Sequence, residues 1–223
     1  MPDSLSRHEV FITGGSGFMG RQLISLLLGR GHRVRALVRP GSEKKLPAGC
    51  AAIIGNALDK NSYSAAIAPA DTFVQLVGVT HPNPSKGQEF LAVDKTSALG
   101  AIAAAAEAGV KHFVYVSVAQ PAPVMKNYIA ARAECEAALR ASGLNATIIR
   151  PWYVLGPGRR WPYLIAPMYW IMERIPATRE GARRLGLVTL PQMITALASA
   201  VEHPAQGIRI VTVPEIRSSR LAS

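Results

Sequence analysis

Gly14, Gly17 and Gly20 recur at every third position of Thr13-Gly14-Gly15-Ser16-Gly17-Phe18-Met19-Gly20. Their chemistry is that of a bare backbone. Gly14 permits a tight turn off a strand. Gly17 has no Cβ, so a pyrophosphate can come close to the main chain, and Gly20 lets the next helix pack against its sheet. The N–H groups that open that helix then face the phosphates, and the helix dipole adds to the attraction. The spacing carries weight only between a strand and a helix, and both are present. Glu9-Val10-Phe11-Ile12-Thr13 is a short, mostly apolar run of the buried parallel-strand kind, and Leu23, Ile24, Leu27 and Leu28 share one helical face.

The elements that must hold this turn alternate along the chain. Further strands are expected over 33–38, 50–54, 71–77, 111–116, 146–150 and 208–213. Helices are expected over 61–68, 90–108, 128–141 and 191–202, the second stopped by Gly109 and the third by Ser142-Gly143. A polar, proline-containing loop occupies 81–87. Such alternation needs crossover connections, hence an α/β fold of the Rossmann type: a doubly wound parallel sheet with helices on both faces. From Pro151 onward prolines, glycines and then aromatics crowd the chain. Residues 1–223 are therefore expected as one domain, with 151–223 a small substrate-side region over the carboxyl edge of the sheet.

The chain has 223 residues, 49% of them hydrophobic, which suits one such domain. Its net charge of +11 fits a polyanionic cofactor, an anionic membrane surface or nucleic acid. Nucleic acid is disfavoured, because no basic recognition helix or RNA-stacking motif is visible. Cys50 and Cys135 lie far apart in no motif and are expected as free thiols. With no apolar signal core at the start and no run of ~20 apolar residues, a cytoplasmic location is expected. The five histidines are scattered and make no metal site; His81 and His112 are expected in a loop and at a strand start, and Asp59 and Asp71 as cap or turn residues. The aromatic stretch 161–175 admits three readings: a helix capping a pocket with its apolar face on the core, an interfacial membrane helix, or a dimer contact.

Four pieces together carry a family resemblance. They are the Thr13–Gly20 turn, Ala36-Leu37-Val38-Arg39, the run from Ala108 to Ser117, and Ile149-Arg150-Pro151-Trp152-Tyr153-Val154-Leu155-Gly156-Pro157-Gly158. On these the chain resembles the atypical branch of the short-chain dehydrogenase/reductase superfamily. It is most similar to the compact sugar-epimerase-like (epimerase/dehydratase-like) and complex-I-subunit-like NAD(P)-binding proteins. The likeness covers 9–158 well. It implies a seven-stranded sheet with a dinucleotide across the strand ends, held by Gly14, Ser16, Gly17, Phe18, Met19, Gly20, Arg39, Asn56, Ala57, Val77, Gly78, Ser117, Tyr128, Arg132, Pro151, Tyr153 and Val154, with no metal.

At the end of the second strand an acidic residue would favour NAD. Arg39 instead suits a 2′-phosphate, so NADP is the expected cofactor and NAD the lesser one. Where the family often has Asp after the third strand stands Asn56, whose carbonyl can still accept from the adenine amino group. The family's acid/base is a Tyr with a Lys four residues later; here the pair is Tyr128 and Arg132, which keeps the cation and changes its shape. Ser117 lies near the place of the family's carbonyl-binding Ser or Thr, but the usual slot falls on Val118 or Ala119. The resemblance implies an NADP(H)-dependent oxidoreductase acting on a small carbonyl or alcohol, apolar or aromatic by the hint of 161–175. A non-catalytic redox sensor or membrane-associated assembly protein is the alternative.

Overall fold

The computed structural model describes residues 6–78, 90–122, 124–156 and 166–219. β1 (Glu9–Thr13) leads through the glycine turn into α1 (Phe18–Gly29), whose buried face is Gly20, Leu23, Ile24 and Leu27. Next come β2 (Arg33–Val38), β3 (Ala51–Ile54) and β4 (Thr72–Gln75). A π-wound turn, Phe90–Lys95, runs into α2 (Thr96–Glu107). Then follow β5 (His112–Val116), α3 (Lys126–Ala141), β6 (Asn145–Ile149) and β7 (Tyr153–Leu155). The last part holds α4 (Ala166–Met172), α5 (Pro176–Arg184), β8 (Leu187–Thr189), α6 (Leu190–Glu202), β9 (Ile208–Val211) and α7 (Val213–Ser218).

Seven strands form one sheet in the order β3-β2-β1-β4-β5-β6-β9, every pair parallel. The order reverses between β1 and β4, where the glycine turn lies, and ligands of open α/β sheets bind at such a switch point. Two apolar layers cover the faces. One joins α1 and α6 through Leu23, Leu27, Met193 and Leu197; the other joins α2 and α3 through Ala101, Ala105, Cys135 and Leu139. The small side chains of α2 let it lie close to the sheet. A separate parallel pair, β7–β8, sits beyond the main sheet. It was not visible in the sequence, because each strand has only three residues.

Two expected elements differ. Residues 61–68 form no α-helix but two 3₁₀ turns, Lys60–Ser62 and Ser64–Ala66. Ser62 Oγ donates to the carbonyls of Asn56 and Asp59, and such local bonds compete with a helix. Arg35 then ties the carbonyls of Ala66 and Ile67 at 2.7 Å, closing the segment. The helix expected within 161–175 runs only over Ala166–Met172, Pro176 opens the next one, and 161–165 lie outside the described residues. Met168, Ile171 and Ile175, which the pocket-cap reading of 161–175 would turn to the core, are exposed. His81 and the 81–87 loop also lie outside the described residues.

His112 and His8 both bond within the fold. His112 is fully buried at the start of β5, with Nε2 3.0 Å from Thr147 Oγ1, and burial holds its pKa down at about 4. His8 lies 3.1 Å from Asp71, which also accepts from the Glu9 N–H. Asp59 caps a turn by accepting from Asn61 N. Cys50 and Cys135 are free thiols.

Candidate functional site

The turn after β1 is built as its glycines require. Gly14 has φ +75°, a conformation that a side chain strains, and a Cβ there would lie 3.0 Å from the Leu76 carbonyl carbon. Gly20 sits so close to the turn that a Cβ would fall 2.4 Å from Gly14 O. Gly17 differs: among the described residues a Cβ there would meet only Gly14 O, at 3.1 Å, and the space beyond is open. Gly17 is the N-cap of α1 and no side chain caps the helix start. Its own N–H is spent on Gly14 O at 3.0 Å, so the N–H groups of the first helical turn are the ones left to face an anion. Ser16, Phe18 and Met19 around them are half-buried. This cradle, open over Gly17 and lined by main-chain donors, fits a dinucleotide pyrophosphate.

A buried relay fixes the strand ends beneath the turn. Thr13 Oγ1 donates to Gln75 Oε1, and Gln75 Nε2 donates to Ser97 Oγ at 3.2 Å. Ser97 Oγ in turn donates to the Asp94 carbonyl. At the same carboxyl edge, on the β2–β3 side of the turn, Arg39 and Asn56 leave adjacent strands, since Thr13 pairs with Leu37 and Val38 with Ile54. Arg39 is exposed. Asn56 Oδ1 accepts from the Leu58 N–H at 3.0 Å, and the Asn56 N–H donates to Ser62 Oγ at 2.9 Å. The half-buried Ala57 completes this edge.

Val77 and Gly78 follow β4. The backbone of Val77 adjoins Gly14, while a Cβ on Gly78 would lie 2.5 Å from Arg132 Nη2. Pro151 O accepts from Ala119 N at 2.9 Å, bringing the strand that carries Tyr153 and Val154 beside the end of β5. Gly156 presses on the Phe18 ring, where a Cβ would fall 2.4 Å from Cζ. The fold thus gathers the glycine turn, Gly78, Ser117, Arg132 and the 151–156 segment at one sheet edge. Tyr153 lies there with its pKa raised by burial.

α3 carries Tyr128 and Arg132 one turn apart, but Arg132 is not open to the edge. It is 5% exposed; Nη2 pairs with the fully buried Asp94, and Nη1 donates to Val116 O at 2.7 Å and to the Tyr115 hydroxyl at 3.3 Å. Its Nε is buried without a hydrogen-bond partner among the described residues. The guanidinium lies 5.2 Å from the centre of the half-buried Tyr128 ring and so meets the ring face. Burial works against its charge; Tyr128, Tyr115 and Asp94 outweigh burial and raise its pKa above the usual value. Ser117 is likewise tied. Its Oγ donates to Glu136 Oε1 at 2.6 Å, and that carboxylate also accepts from Gln120 and from Arg150 Nε at 2.9 Å. Val118 and Ala119, in the usual hydroxyl slot, are buried apolar residues. Sequence reasoning missed Asp94 and Glu136, since only the fold sets each against its arginine.

Against known proteins, residues 14–160 match the family described as NAD(P)H-binding. The chain belongs to that family. A ceramide reductase of Caulobacter vibrioides is 31% identical over 155 residues, covering 69% of this chain and 48% of the reductase. The uncharacterized sugar epimerase YhfK of Bacillus subtilis is 35% identical over 154 residues, covering 64% of this chain and 71% of its own. The chain therefore spans about half of one relative and more than two thirds of the other. The fold superposes on the Bordetella bronchiseptica enzyme WbmH, solved in complex with NAD+, with a TM-score of 0.69 at 21% identity, over 93% of this chain and 76% of that one. These likenesses place the chain among NAD(P)-binding Rossmann-type proteins related to epimerases and reductases.

Proposed function

We propose that the protein is an NADP(H)-dependent oxidoreductase of the atypical short-chain dehydrogenase/reductase type, acting on an apolar carbonyl or alcohol. The observation that carries the binding half is the open cradle over Gly17, with uncapped N–H groups at the start of α1. Arg39, exposed after β2, selects NADP over NAD through the 2′-phosphate. When bound, the dinucleotide supplies or accepts the hydride. Tyr128 gives or takes the proton at the substrate oxygen. Arg132 steadies the Tyr128 ring from its face, with Asp94 holding the guanidinium in place. Ser117 positions the edge through Glu136.

Residues 151–223 supply the substrate side of a single domain spanning 1–223. An apolar substrate is in keeping with a relative named as a ceramide reductase. Free thiols fit a cytoplasmic setting, with peripheral membrane contact through 161–175. The sensor or scaffold alternative keeps one supporting observation: Arg132 spends its charge on Asp94.

A screen of apolar ketones and alcohols with NADPH or NADP tests the proposal. Tyr128→Phe removes only a hydroxyl, so NADPH affinity is expected to persist while turnover falls ~100-fold or more. An unchanged rate refutes the role of Tyr128. Tight NADPH binding with no turnover of any substrate favours the sensor alternative.

A further inference from the structure

Of the seven large apolar side chains exposed among the described residues, four lie within eight positions: Met168, Trp170, Ile171 and Ile175. Trp170 is 60% exposed, a large loss for a residue whose ring is usually mostly buried. The Arg174 guanidinium lies 3.3 Å from its ring centre, and Arg174 Nη1 donates to Trp170 O at 2.8 Å. A cation is thus fixed at the edge of the apolar group. α5 adds Arg179, which is exposed and bonds only to main-chain carbonyls of 173 and 174 in the contacts seen. Across 166–184 there are four arginines and two glutamates; Glu173 is paired with Arg217 at 2.7 Å and Glu180 lies 3.8 Å from Arg184. The patch is apolar at its centre and positive at its rim.

A pocket cap would turn these apolar residues inward, whereas they point to solvent. A second copy of the same patch would set arginine against arginine. An anionic bilayer matches both parts: aliphatic side chains enter the headgroup boundary, an indole sits at the interface, and guanidinium groups meet phosphate. We propose that Met168, Trp170, Ile171 and Ile175, rimmed by Arg174 and Arg179, seat the protein on an anionic phospholipid surface from which its apolar substrate is drawn. The source of the substrate rests on the proposed function; the docking surface rests on exposure and charge alone.

Vesicle co-sedimentation tests this with the full chain. Binding is expected to phosphatidylcholine vesicles containing phosphatidylglycerol at low salt, with release at high salt and no binding to phosphatidylcholine alone. Trp170→Ser with Ile171→Ser, and separately Arg174→Glu with Arg179→Glu, should each weaken binding ~10-fold or more, since each removes one half of the match. NADPH affinity, measured on the same proteins, should not change and reports that they fold. A protein that binds vesicles but no NADPH supports the surface and overturns the dinucleotide reading instead. The inference is overturned by no vesicle binding at low salt, by variants that bind as well as the parent, or by a dimer in light scattering that Trp170→Ser dissociates.

Discussion

The glycine turn and the Tyr128 face of α3 stand at the same sheet edge and are built in opposite ways. In the turn, every function belongs to the backbone, and the contacts that shape Gly17 and Gly20 lie within a few residues: Gly17 N–H on Gly14 O, and Gly20 against Gly14 and Gly15. On α3, each functional side chain is governed by a residue far off in sequence. Arg132 answers to Asp94, 38 residues away, and Ser117 to Glu136, 19 away. A local device can be recognised from spacing alone. A device whose charges are set by distant partners cannot, and its behaviour differs from what its residue types suggest.

The largest effect that separates the two is expected at Gly17. Valine there fills the open side of the cradle and should abolish binding of NADPH and NADH alike in calorimetry, while the melting temperature stays near that of the parent, because only Gly14 O lies close. Gly20→Ala gives the contrast: its Cβ would strike main chain, so stability should fall by about 1–3 kcal/mol. Normal NADPH affinity in a folded Gly17→Val protein breaks the account of the turn.

On α3 the balance should reverse, with stability hit first. Arg132→Ala leaves the Asp94 carboxylate buried without its cation, and about 3–5 kcal/mol of stability should be lost in denaturant unfolding. Arg132→Lys keeps a charge for Asp94. It cannot also reach Val116 O and Tyr115 with a planar fork, so an intermediate loss is expected. A lysine variant as stable as the parent shows that the fork geometry is unimportant.

The smallest effect concerns cofactor choice. Arg39→Ala should weaken NADPH binding by about 1.5–3 kcal/mol and leave NADH nearly unchanged, since only the 2′-phosphate meets the guanidinium. Equal losses for both would remove Arg39 from the 2′-phosphate role.

The same contrast explains what was legible. The strands of the main sheet and the helices α1, α3 and α6 follow from apolar periodicity and turn residues, with ends shifted by a few positions. The stretch 61–68 misled because the Ser62 hydroxyl bonds back to the Asn56 and Asp59 carbonyls and the amides of 63, 66 and 67 bond three residues back rather than four. The 161–175 stretch has helical spacing, and spacing cannot tell a core-facing stripe from an exposed one. In the site, the spacing of Gly14, Gly17 and Gly20 was readable from local pattern, whereas Val77, Gly78 and the 151–156 segment came only through the family resemblance. Asp94 was not, because it pairs with Arg132 from within a π-wound turn, and nothing in its neighbours marks it.

The central claim is that one dinucleotide spans the glycine turn and reaches Tyr128. A crystal structure of the chain with NADP bound measures this directly. The account predicts the pyrophosphate on the N–H groups that open α1, the 2′-phosphate beside Arg39, and the nicotinamide ring facing the Tyr128 hydroxyl. A pyrophosphate away from Gly17, or a nicotinamide turned away from Tyr128, contradicts it.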